Sequence, residues 1–518
     1  MKDQKQIISN LESKLLTKDE ENSSLKLTIK SLTQEIELLK AVIYGKKSEK
    51  LSASEVEDTK QLILPNLFNE LESKLDTSES SSSKDEDITL PSSKPKKKVG
   101  RKALPKDLPR KQVIHDLSES EKKCHCGKEM CKIGEEVSEQ LDYVPAKLQV
   151  LEHIRYKYAC RHCYENVQIA SSGVNVISNG IASSGLISHT ITSKFEDHIP
   201  FYRQSQMWGR VGIEIPDATL CNWNYKSSLL LEMLVDMLIS DIISSNYACS
   251  DETPLNVLLS SNSTNYMWVH HSGSRLKRAV VFDYHETRKG GCASGFLSGF
   301  TGIHQCDGYS GYDRLYKNNK ILRAGCMDHA RRKFFDVYKL SDKKPGFAKD
   351  ILTEIKLLYK VEAEITKYSY PPDKILELRQ KISKIVFKRL KDKLLNNKDA
   401  VPPQTTLGKA IHYMLNQWES LALYLDHPHI RISNADAERI IKPFTIGRKN
   451  WLFNKTKSGA KASAVIYSII ETCKANNINS YQYLRYVLPL LKKSKADPDF
   501  KIDKSILPYN INTELLKL

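Results

Sequence analysis

From residue 246 the hydropathy pattern leaves helical spacing and becomes a series of short β-rich runs. These are YACSDETPLNVLL, YMWVHHSG and RAVVFDYHE, separated by turn residues. A Gly-rich helix candidate, GCASGFLSGF, and a further strand candidate, GIHQCDGYSGY, follow. No other stretch constrains the fold as strongly. In a sheet of that order, with three antiparallel strands and then a helix, the fourth strand lies beside the first. Asp251 follows NYACS in the first strand and Asp307 follows GIHQC in the fourth, 56 positions later. The expectation is that both carboxylates face one point.

Two carboxylates held ~4 Å apart repel and shift each other's pKa unless a divalent cation separates them. Oxygen-only ligation suits magnesium or manganese, which take their remaining ligands from water and substrate phosphate. Two such ions ~3.5–4 Å apart serve phosphoryl transfer on DNA, and a third acidic residue completes such a site. Glu438, in ISNADAERIIKPFTIGRKNWLF, is the best third candidate, in the first turn or two of a helix opened near Asn434. Arg439, Lys442, Arg448 and Lys449 follow it, with Trp451 and Phe453, a set suited to gripping phosphates and stacking on bases. The bland alternative is a solvated helix with an i,i+4 pair from Glu438 to Lys442.

Composition agrees with a polyanionic partner. The 518 residues carry 79 Lys+Arg against 62 Asp+Glu, a formal charge of +17, which favours nucleic acid over an anionic membrane face. No run approaches the ~18 apolar residues of a membrane span, and MKDQKQIISN lacks the apolar stretch of a secretory signal. Eleven Cys then fit metal ligands or buried thiols in a reducing, cytoplasmic setting better than disulfides.

Upstream of the sheet the chain reads as several units. Ile8, Leu11, Leu15, Lys18, Asn22, Leu25, Ile29, Leu32, Ile36, Leu39 and Ile43 alternate by three and four, the seam of a left-handed coiled coil, so residues 1–50 are expected to self-associate. Residues 51–98 end in a Ser-rich, charged stretch that reads as a disordered linker. Lys97, Lys98, Arg101 and Lys102 then flank a Gly-Arg that fits a narrow minor groove, or make only non-specific phosphate contacts. Cys124 and Cys126, then Cys160 and Cys163 after a strand-like stretch, make a candidate structural zinc site, with Cys131, His125 or His162 as substitutes for one ligand. Residues 180–245 read as helix, a turn at Val211-Gly212-Ile213, then helix, with Asp217 or Thr219 as cap. A helix-turn-helix and an ordinary helical hairpin fit equally.

SDETP, QCDGYSGY, DHARRKF and NADAERIIKPFTIGRKNWLF with SGAKASAVIYSIIETCKANNINSYQYLRYVL resemble the DDE transposases of the IS-sixty-six insertion-sequence family. AVIYGKKSEKL, VGRKALPKDLPR, IGEEVSEQLDYVPAKLQVLEHIRYKYAC and SKFEDHIPFYRQSQ extend the resemblance over roughly residues 1–490. It implies a multidomain α+β protein: coiled coil, zinc-binding β domain, helical DNA-binding region, and a ribonuclease-H-like α/β core interrupted by an all-helical insertion. It implies Asp251, Asp307 and Glu438 as the acidic residues of a cut-and-join reaction on double-stranded DNA, at element ends and target. Small accessory proteins of the same element are implied too. His329 matches a family position, as a phosphate contact or in strand-end packing. The family's Asp-Asn-Asn before the Glu is here Ser433, Asn434 and Ala435, and Cys124-His125-Cys126 is tighter than the family spacing.

The expected limits are a basic segment and zinc domain over 99–170, a helical DNA-binding region over 171–245, and a core over 246–336 and 431–470. The helical insertion takes 337–430 and a C-terminal helical region 471–518. Two readings compete with a transposase: a ribonuclease-H-like nuclease that does not join strands, and an inactive relic that only binds DNA.

Overall fold

The structure, a computed structural model, describes residues 149–517 except 160–166, 170–174, 179, 274–276, 318–319 and 342. The expected coiled coil, the linker, Lys97, Lys98, Arg101, Lys102 and all four candidate zinc cysteines lie outside the described residues. The chain divides into two units, one spanning 78–172 and the other holding 173–518. Of the smaller unit, a hairpin is described: β1 (Lys157–Ala159) pairs antiparallel with β2 (Val167–Ile169). Cys160 and Cys163 fall in the intervening sequence.

The larger unit is built on β3 (Tyr247–Leu255), β4 (Asn265–Ser272), β5 (Val280–His285), β6 (Gly302–Gln305) and β7 (Ile321–Ala324). Their order across the sheet is β5-β4-β3-β6-β7. The first three strands run antiparallel, while β6 and β7 run parallel to β3. The crossover from β5 to β6 passes through the short helix α4 (Gly291–Phe296), so the expected adjacency of first and fourth strands is present. Gly302 opens β6 at φ +132°, where an added Cβ would sit 2.4 Å from the Asn246 carbonyl oxygen. Only glycine lets the fourth strand start that close to the first.

Three helices precede the sheet: α1 (Ser184–Phe195), α2 (Phe201–Arg210) and α3 (Asp217–Ile243). Gly212, at φ +83°, makes the turn before α3. Asp217 is the first helical residue and not the cap; Pro216 holds the cap position, and the Asp217 carboxylate accepts the Ala218 N–H at 2.8 Å. α3 buries Leu231, Leu234, Leu238 and Ile242 in the same core as the sheet, against β4 and β5.

After β7 come α5 (Met327–Leu340), α6 (Phe347–Tyr368), α7 (Pro372–Leu378), a π-turn (Arg379–Ser383), α8 (Lys384–Lys398), α9 (Thr406–Asn416) and α10 (Trp418–Ala422). The expected core limit at 336 falls inside α5. In α6 the apolar residues Ile351, Leu352, Ile355 and Leu358 repeat by three and four and are buried, whereas Lys356 and Lys360 are exposed. The chain returns through α11 (Ala435–Trp451), α12 (Lys457–Ala475) and α13 (Ser480–Ala496).

α12 covers the open edge of the sheet. Ser468 Oγ accepts the Phe282 N–H at 2.8 Å, and Thr472 Oγ1 accepts the Val280 N–H at 3.1 Å and donates to the Val280 carbonyl at 3.0 Å. Positions i and i+4 of a helix rise about 6 Å, close to the ~6.6 Å between i and i+2 of a strand. Two hydroxyls one turn apart therefore match alternate edge groups, and β5 offers no unpaired ladder there to another chain.

Candidate functional site

Asp251 sits midway along β3, opposite Val269 of β4. The β3–β6 ladder pairs Cys249 with Gln305, and two residues further along each chain stand Asp251 and Asp307. The parallel register thus brings the two aspartates level. Beneath them the strands are locked by buried polar groups: Ser250 Oγ bonds His270 Nδ1 at 2.7 Å and His304 Nε2 at 2.8 Å, and His304 Nδ1 bonds the Tyr316 hydroxyl at 2.8 Å. Burial holds both imidazoles neutral, pushing His304 down to about 3.

The segment after β6 is fixed from two sides. Asp307 Oδ1 accepts the Tyr309 N–H at 2.9 Å, and Arg323 of β7 donates to the Asp307 carbonyl at 2.7 Å. Glu438, on the first turn of α11, comes from a helix packed against β3 and β4. Asn434 seats that helix, donating its side chain to the Ser250 carbonyl at 2.8 Å and its backbone N–H to Cys326 Sγ at 3.2 Å. Gln305 ties the same loop down, donating to the carbonyls of Gly325 at 2.9 Å and Arg431 at 2.8 Å.

The electrostatics mark a centre of negative charge. Asp251 is half-buried. Burial first, then the charges of Glu252 and Glu438, with Asp307 adding to them, hold its carboxyl well above the usual carboxylate range. Glu252 was not anticipated from sequence, although it stands next to Asp251 in the DETP run. It accepts Arg288 Nε and Nη2 at 2.8 and 2.6 Å and the Tyr312 hydroxyl at 2.7 Å, tying β3 to the turn after Asp307. Burial raises its pKa despite those donors.

Glu438 faces α5. Arg332 Nη2 and His329 Nδ1 each lie 3.5 Å from one of its oxygens, which assigns His329 to the carboxylate's surroundings. Arg448 Nη1 donates to Thr253 Oγ1 at 3.2 Å, two residues from Asp251; Lys442 is half-buried and Lys449 exposed. Trp451 packs edge-on against Phe444, centroids 5.5 Å apart, whereas Phe453 is exposed. Of the two aromatic residues, Phe453 is the one open to a base. Ser433 is buried, and near it the Tyr359 hydroxyl donates to Asp328 at 2.6 Å.

Asp436, one helical turn beyond Ser433, is a buried counter-charge. It pairs with Arg431, with Arg278 at 3.2 Å and with Arg439 at 3.4 Å. Burial alone would raise its pKa; Arg431 and Arg278 more than offset that and lower it. A depressed folded-state pKa gives stability that is present above the ordinary value of 3.8 and is lost as pH falls through the folded one. Asp436→Asn should therefore cost about 2–3 kcal/mol at pH 7. In urea denaturation the gap to wild type should close progressively below about pH 4. A gap that persists unchanged at pH 2 would show that packing, not charge, sets the loss.

Comparison with known proteins decides the family. The family model described as "Transposase IS66 family" matches residues 179–462, more than half of the chain. The chain belongs to the IS66 transposase family. Its other parts match too: "Transposase C of IS166 homeodomain" over 31–113, "zinc-finger binding domain of transposase IS66" over 121–164, and "IS66 C-terminal element" over 468–499. The zinc-finger match brings zinc into consideration for the 121–164 segment. Among relatives, the "Uncharacterized protein y4jD" of Sinorhizobium fredii (strain NBRC 101917 / NGR234) is 33% identical over 421 residues, 79% of this chain and 81% of the relative. The "Uncharacterized protein y4qI" of the same strain is 29% identical over 419 residues, 78% and 76% of the two chains. Family membership supports a transposase role acting on DNA. No helix among the described residues is long and apolar enough to cross a membrane.

Proposed function

We propose that this IS66-family chain is a DDE-type DNA transposase that cuts phosphodiester bonds at the ends of an insertion sequence and joins the exposed 3′-hydroxyl to target DNA. The observation that carries this reading is the β3–β6 register, which sets Asp251 level with Asp307 on a sheet that α11 approaches with Glu438. The strand order β5-β4-β3-β6-β7, antiparallel then parallel, supports a ribonuclease-H-like core. A divalent cation fits these residues: the donors are all carboxylate oxygens, Asp251 stands among like charges, and Glu438 Oε1 has no hydrogen-bond partner. Asp251, Asp307 and Glu438 would hold two magnesium or manganese ions, which supply activation of the attacking oxygen and stabilisation of the leaving one.

The chain's own residues do the rest. Lys442, Arg448 and Lys449 offset phosphate charge on the bound strand, with Arg448 anchored through Thr253 beside the site. The 3′-hydroxyl attacks the target phosphate in line, with no covalent protein intermediate. Lys97, Lys98, Arg101 and Lys102, with the helical region before the sheet, bind element ends; Cys124, Cys126, Cys160 and Cys163 hold a structural zinc. Residues 1–50 join the chains into a homo-oligomer that holds two ends together. The protein works at the nucleoid in the cytoplasm, with small accessory proteins of the same element.

One position favours a second reading. Ser433 stands where the family carries Asp, which suits an inactive copy that only binds DNA. The test mixes purified protein with labelled DNA carrying the sequences that flank its gene, in magnesium and in EDTA, beside Glu438→Gln. Joined products that need magnesium and disappear in the variant are expected. Cleavage without joining would mean a nuclease, and binding without chemistry in either magnesium or manganese would mean a relic.

A further inference from the structure

Beside the three carboxylates lies a different set of donors. Cys326 caps the N-terminus of α5, His329 stands three residues later, and both face Glu438. One ligand atom from each, Sγ, an imidazole nitrogen and a carboxylate oxygen, lies within 4.8 Å of the other two. His329 Nδ1 and Glu438 Oε1 are both buried and neither has a hydrogen-bond partner, although they are only 3.5 Å apart. That spacing is poor for a hydrogen bond. It is close to the edge of a coordination tetrahedron, about 3.4 Å for nitrogen and oxygen ligands at ~2.0–2.2 Å from a zinc-sized ion.

We propose that Cys326, His329 and Glu438 form a binding site for a soft divalent cation of the zinc class, with water as fourth ligand. Thiolate and imidazole exclude magnesium as the preferred occupant and select zinc or cobalt. The Cys-x-x-His spacing on one helical turn and the single carboxylate give an open, three-ligand arrangement. Binding releases the thiol proton of Cys326 to solvent. Glu438 is shared with the proposed magnesium site, so an ion on Cys326 and His329 draws the third carboxylate away and slows DNA cutting. Ion binding stands on the geometry alone; the effect on cutting rests on the proposed function.

The test uses the full chain, metal-stripped and kept reduced, titrated with cobalt(II) and read by its thiolate charge-transfer and d–d absorption. The zinc-finger segment adds the same background to every protein, so the difference between proteins is the readout. Cys326→Ser and His329→Asn should each bind one equivalent fewer than wild type. His329 is part-exposed, so its variant keeps the test decisive if the buried Cys326 change fails to fold. Equal stoichiometry and equal spectra in wild type and His329→Asn would overturn the site. In a second arm, stoichiometric zinc is added to the magnesium-supported reaction. Wild-type cleavage should fall by about tenfold or more, with a much smaller zinc effect in His329→Asn. Equal inhibition of both would overturn the control of cutting. If no protein cuts DNA at all, the transposase reading fails while the cobalt count still decides the site.

Discussion

Asp251→Asn is expected to abolish magnesium-dependent cutting while raising the melting temperature of the metal-free protein. The two effects share one cause. Burial first, then the charges of Glu252, Glu438 and Asp307, hold the Asp251 pKa well above the ordinary 3.8. A raised folded-state pKa gives stability that is complete below the unfolded value and is lost as pH rises through the folded one. At neutral pH the metal-free wild type is thus less stable than a protein with an amide of the same shape at that position. The variant should melt about 2 °C higher without metal, and the difference should vanish near pH 3, where wild-type Asp251 is protonated. Magnesium should raise the wild-type melting temperature and leave the variant nearly unmoved, because ligand binding stabilises only the protein that binds it. Losing one carboxylate from such a site removes ~4 kcal/mol of transition-state stabilisation, on the order of a thousandfold in rate. Retained cutting, or an equal magnesium shift in both proteins, would remove Asp251 from the site.

The sheet was legible because its signals are local. The β-branched and aromatic content of YMWVHHSG and RAVVFDYHE, bounded by turn residues, gives strands, and the helix after them leaves the fourth strand a place beside the first. Asp251 and Asp307 follow from that order alone. Glu438 was the best third candidate from its helix start and the cations after it, and the family motif added to that, since an acidic residue early in a helix is common. Glu252, Cys326 and Arg332 were missed because their roles come from partners far along the chain. Glu438 and Arg332 are 106 positions apart, and no periodicity reports such a meeting. The Cys-x-x-His of 326–329 was visible in the sequence, but its third donor was not. The fate of α3 was equally hidden: helix, Gly212 turn and helix look alike whether the second helix enters a groove or, as here, lines the core against β4 and β5.

Arg379→Leu is expected to cost about 3–5 kcal/mol, the range for breaking a buried ion pair and stranding its partner. Arg379 lies in the π-turn between α7 and α8, where the extra residue re-aims the side chains. Its side chain is 3% exposed, and all its nitrogens are used. Nε and Nη2 grip Glu362 of α6 at 2.8 and 2.7 Å. Nη1 donates to the carbonyls of Tyr424 and His427 at 2.7 and 2.9 Å, and Nη2 also reaches that of Ile430 at 3.1 Å. Those carbonyls belong to the stretch that leads into Arg431, whose own carbonyl Gln305 holds, and then into Asn434 and Glu438. The helical insertion therefore sets the path of the chain into the third carboxylate, instead of merely interrupting the core. Lysine carries the charge but not the planar fork, so Arg379→Lys should recover less than half of the lost stability. Glu362→Gln should cost less than Arg379→Leu, since the guanidinium keeps its three carbonyls and an amide oxygen. Cutting should fall in Arg379→Leu even at temperatures where the protein stays folded, because the entry to α11 loses its anchor. An unchanged urea midpoint in Arg379→Leu would refute the clamp. A lowered midpoint with full cutting by the folded fraction would confine its role to stability and free Glu438 from it.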